Sequence, residues 1–87
     1  MVDDVPTDVQ TVLSQLLTAS RKALDSGDTE TCRRTISSVQ SVATNKLPES
    51  ERRARLRHGC ERVQDLIGGD EAAAARAYVV AMESQME

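Results

Sequence analysis

Apolar residues recur along this chain every three or four positions, and the runs are broken at clear points by glycine or proline. The first run is Val9, Val12, Leu13, Leu16, Leu17, Ala19, Ala23 and Leu24. It covers about 160° of a wheel drawn at 3.6 residues per turn, the stripe of a helix with one face in a core. Thr7-Asp8-Val9-Gln10 has the form of a capping box, with Pro6 just ahead of it, so the helix is placed from residue 7. Ser26-Gly27-Asp28 ends that helix at a left-handed Gly27 and caps the next with Asp28.

The second stripe is narrower: Cys32, Ile36, Val39, Val42 and Ala43. Pro48 marks a first helical position, and Glu49 and Glu51 suit the positive end of a helix dipole. The third stripe is Leu56, Cys60, Val63, Leu66 and Ile67. Gly68-Gly69-Asp70 repeats the stop-and-cap device, and Glu71 opens a fourth helix. The pattern predicts helices over roughly 7–26, 29–45, 48–67 and 71–85, with no strand signal. Connections this short force successive helices antiparallel. The expected fold is all-α, a small bundle of about four short antiparallel helices, or two αα-hairpins, in a single domain over 1–87. Leu24-Asp25-Ser26-Gly27-Asp28 and Leu66-Ile67-Gly68-Gly69-Asp70 echo one another at a shift of 42, two hairpins meeting the same turn requirement.

Helix four departs from the one-stripe pattern. Arg76, Glu83 and Glu87 fall in a narrow polar arc, and nearly everything else is apolar or small. Ala75, Val79, Met82 and Met86 form one stripe; Ala73, Ala77 and Val80 form another; Ala74, Tyr78 and Ala81 lie between. A helix with this much apolar circumference is expected to pack on its own chain and on a second protomer. The expected homodimer interface is Ala75, Tyr78, Val79, Met82 and Met86, since a two-fold dimer is the commonest assembly.

Composition narrows the classes. The 87 residues hold 18 of Leu, Ile and Val, no Phe or Trp, and one aromatic, Tyr78. That core is thin for a stable monomer, which favours association. A net charge of −3, from 11 bases against 14 acids, gives no general field for nucleic acid or an anionic membrane. No stretch is long and apolar enough to span a bilayer, and the acidic start MVDDVPTDVQ lacks a signal-peptide apolar region. A cytoplasmic protein with reduced Cys32 and Cys60 follows.

The arginine-rich segment 49–62 is the alternative site. Arg52, Arg53, Arg55 and Arg57 are its candidate nucleic-acid contacts, but the wheel puts Arg55 on one edge of the apolar stripe with Arg62, Arg53 and Arg57 on the other, and Arg52 near its start. Glu61 and Asp65 hold the outward side, and no aromatics are interleaved to stack on bases. Glu51 with Arg55, and Arg57 with Glu61, are spaced as i,i+4 ion pairs. His58 and Cys60 are two apart on a helix and point about 200° away from each other, so they cannot share a metal ion. The acids cluster at helix starts, and Asp70 would repel a phosphate behind Gly68-Gly69. No catalytic, cofactor or metal residues are predicted; the expectation is a non-enzymatic protein-interaction or regulatory module whose partner is itself or an unidentified protein.

Two resemblances add to this. Arg53 and His58, with four residues between them, fit the Arg-x4–6-His pattern of the helical HEPN ribonucleases, which would imply a paired active site across a dimer; Ala54 stands where that family usually has a polar residue. The segments ALDSGDTET (23–31), NKLPESERRARLRHGCERV (45–63) and AYVVAMES (77–84) resemble small uncharacterised all-helical proteins of haloarchaea. Nine Arg against two Lys is in keeping with that composition. This second resemblance implies fold and compartment, and no functional residues.

Overall fold

Each expected stripe becomes a helix, and each glycine or proline break becomes a connection. In a computed structural model that describes residues 6–86, the helices are α1 (Thr7–Asp25), α2 (Thr29–Lys46), α3 (Glu51–Gly68) and α4 (Ala72–Gln85). The acidic residues at 3 and 4, and Glu87 of the fourth helix's polar arc, lie outside the described residues. Helix α1 packs on α2, α2 on α3, α3 on α4, and α4 closes back onto α1. The result is a four-helix ring 39 × 19 × 19 Å in extent.

The seams show the antiparallel order directly. Along α1 and α4, Gln10 donates to the Met86 carbonyl, Thr18 and Arg21 reach Glu83, and Arg76 reaches Asp25. Low numbers on one helix thus meet high numbers on the other. Between α2 and α3, the Gln64 amide donates to the Arg33 carbonyl and the Ser37 hydroxyl at 3.1 and 3.2 Å. Between α1 and α2, the fully buried Ser20 meets Thr35 hydroxyl to hydroxyl at 2.6 Å. Ser20 also lies 2.9 Å from its own Leu16 carbonyl, and Thr35 lies 3.0 Å from the Thr31 carbonyl. This polar pair has partners enough to sit in the core without an unsatisfied group.

Leu13, Leu17, Ile36, Val39, Leu56, Val63 and Val79 are wholly buried and line the middle of the ring. Each such side chain stabilises the fold by about 1.5–3 kcal/mol relative to exposure. Cys32 and Cys60 are buried free thiols. On α3, Gly59 leaves room for Met82 of α4: a Cβ there would stand 2.7 Å from the Met82 sulfur.

The connections correct three details. Both helix-ending turns carry the paired backbone bonds of a Schellman motif. In the first, Asp28 N–H donates to Ala23 O and Gly27 N–H to Leu24 O; in the second, Glu71 donates to Leu66 and Asp70 to Ile67. The left-handed residue is Gly27 in one, at φ 76°, but Asp70 in the other, at φ 63°. The structural repeat is therefore offset by 43 residues rather than 42, and Glu71, not Asp70, is the N-cap of α4, with no side-chain cap bond. Asp carries this conformation better than most residues because its short side chain bonds locally.

At the start of α1 the capping box does not form. Pro6 is the N-cap without a side-chain bond, and Gln10 is drawn away to the end of α4. At the start of α3, Ser50 is the cap, its hydroxyl accepting from Arg53 N–H at 3.2 Å. Pro48 stands before the helix, and its neighbour Leu47 is tucked into the core. Asp28 caps α2 as expected, accepting from the Thr31 amide and hydroxyl at 3.1 and 2.7 Å.

Candidate functional site

Helix α4 turns its bulk inward. Ala75 and Val79 are wholly buried, and Met82 and Met86 keep 2% and 3% of their surface. These four, expected at a dimer interface, are covered by the chain's own helices and form part of its core. Of the five, Tyr78 alone reaches the surface, half-buried, with the Arg62 guanidinium 6.0 Å from its ring centre. The reason is packing. A helix apolar almost all round gives its core the stripe with the longer side chains, because they bury the most surface per turn.

What α4 shows to solvent is the opposite arc: Ala73, Ala77, Val80, Ala81 and Ser84, all exposed. None carries a charge, in a chain where 29% of residues do. Val80, at 38% exposed, is with Val12 one of two large apolar side chains left open among the described residues. The outward faces of the other helices differ: Arg33 and Arg34 on α2, and Arg57, Glu61 and Asp65 on α3, are all exposed.

One border of this arc is a row of ion pairs to α1. Arg76 Nε lies 2.6 Å from Asp25 Oδ1, which holds the guanidinium firmly charged: that hydrogen bond, then the Asp25 charge, raise its pKa. Arg21 Nε lies 2.9 Å from Glu83 Oε1, while Thr18 donates to Oε2 at 3.0 Å. A shallow hollow lined by Arg21, Arg76, Val80, Glu83 and Ser84 runs between the two pairs. The other border is Tyr78 beneath Arg62, whose guanidinium also lies 3.7 Å from Asp65. The arc is thus an uncharged strip bordered on one side by ion pairs to α1 and on the other by Tyr78 and Arg62.

The arginine segment does not make a single surface. Arg52 and Arg53 are half-buried, whereas Arg55 and Arg57 are exposed. Arg55 is engaged by Glu51 at 3.3 Å, as its spacing predicts. The pairing expected between Arg57 and Glu61 is not formed among the described residues. Arg53 and Arg57 share a small hollow with Glu49, Ser50 and Ala54, where the Glu49 carboxylate weakens any pull on an anion. Arg53 and His58 lie about 140° apart around α3 at 100° per residue. Arg53 is half-buried and His58 exposed, so one chain does not bring that pair to one face.

The cysteines are chemically quiet. Burial pushes the Cys32 thiol up to about 11 and the Cys60 thiol up to about 12, far from the thiolate range in which cysteines act as nucleophiles. Among the described residues no three of His, Cys, Asp and Glu gather closely enough to hold a metal ion. No described helix is long and apolar enough to cross a membrane.

Three residues of the arc, Ala73, Ala77 and Val80, form a stripe in the sequence, but the interface is expected there on the stripe that became core. Side-chain volume is the signal that separates the two. Val12, by contrast, is exposed although the sequence places it on the buried stripe of α1: it sits at the stripe's edge, over a furrow between α1 and α2. Over residues 1–87 the chain matches the model of a family described as a domain of unknown function, DUF8101. Neither the curated proteins nor the solved structures contain a match to it.

Proposed function

We propose, for a chain that belongs to this family of unknown function, a non-enzymatic role as a cytoplasmic helical interaction module that pairs with a second copy of itself through the outward arc of α4. The observation that carries this reading is the uncharged strip Ala73, Ala77, Val80, Ala81 and Ser84 on an otherwise charged molecule. Alanines let helix backbones approach closely, and Val80 supplies the one larger side chain to fill the gap. The ion pairs Asp25–Arg76 and Arg21–Glu83 draw the charges at this border towards α1 and leave the strip itself uncharged.

A 14-residue helix offers a face well below the roughly 800 Å² per partner of a standard interface. The pairing is therefore weak and reversible, in keeping with a regulatory module. Nine Arg against two Lys are in keeping with the resemblance to haloarchaeal proteins; at high salt charged contacts are screened, whereas an uncharged strip is not weakened in that way.

Light scattering coupled to size-exclusion chromatography tests the reading, run over a concentration series at low and high potassium chloride. The mass should rise towards two chains with concentration and hold at high salt. A single-chain mass throughout would refute it. Absorbance at 260 nm in the same run serves the rival reading through Arg52, Arg53, Arg55 and Arg57, because one Tyr and no Trp leave the protein nearly dark.

A further inference from the structure

We draw no further inference here: the strongest candidate, the apolar furrow between the start of α1 and the end of α2 lined by Pro6, Val9, Val12 and Val42, carries nothing because nothing in the structure shows what covers it.

Discussion

Asp70 holds a backbone conformation, φ 63°, that costs a side-chain-bearing residue free energy and costs glycine none. Asp70→Gly should therefore raise stability, by about 0.5–1 kcal/mol, read as a shift in the urea midpoint at constant slope. A loss would mean that the Asp70 side chain does more at that turn than tolerate it. Gly59 presents the reverse case, with Met82 2.7 Å from where its Cβ would be. Alanine there overpacks against Met82 at a cost of about 1–3 kcal/mol, offset by about 1 kcal/mol of helix propensity, so the parent should lose no more than about 1–2 kcal/mol and the loss should be set by Met82. In a Met82→Ala background the same change should become neutral or stabilising, since only helix propensity then remains. A double-mutant cycle by denaturant unfolding reads that coupling directly. Neither contact is legible in the sequence. Gly27 and Asp28 announce their turn, but Gly68-Gly69-Asp70 offers three residues for one left-handed position, and only the backbone bonds from Asp70 and Glu71 decide among them.

The helices themselves were readable because each carries apolar residues at a 3.6-residue period between strong stops. Their ends were less so. Thr7 and Pro48 are good local signals that lose to tertiary contacts: Gln10 is taken by Met86, and Leu47 is drawn into the core. The helix pairs also carry the pH dependence. Cys32 on α2 and Cys60 on α3 have thiol pKa values raised by burial to about 11 and about 12, above the ordinary value near 9. Their neutral forms thus support the fold fully below about pH 9. That support is lost as pH rises through 9 towards 11–12, because the unfolded chain releases those protons first. The slope is at most about 1.4 kcal/mol per pH unit for each thiol. Thermal melts between pH 8 and 11 should show it, and Cys32→Ala with Cys60→Ala should flatten the profile. At the acid end the sign reverses: Asp28 is lowered by its Thr31 side-chain and backbone bonds, so its cap is intact above about pH 4 and lost as pH falls through the depressed value. On the α1–α4 seam, Glu83→Ala strips Arg21 and Thr18 of their shared partner. A cost of about 1 kcal/mol is expected, since the pair is only partly shielded from solvent.

At the level of the whole molecule, pairing depends on which side of α4 faces outward. The sequence shows an apolar circumference wider than one bundle position requires, but not the direction of the core, because four helices compete for the same interior and the Val79–Met82 side wins. Two variants separate the two assignments. Val79→Glu with Met82→Glu places charges at positions 0% and 2% exposed and should unfold the chain, as circular dichroism would show. Ala77→Glu with Val80→Glu touches only the exposed arc; helicity and melting should remain close to those of the parent. The most direct test of pairing through α4 is sedimentation equilibrium of the parent beside the Ala77→Glu, Val80→Glu variant, both at high potassium chloride. A concentration-dependent dimer in the parent, absent from a folded variant, is the predicted result. A parent that stays monomeric, or a variant that dimerises as well as the parent, would contradict it.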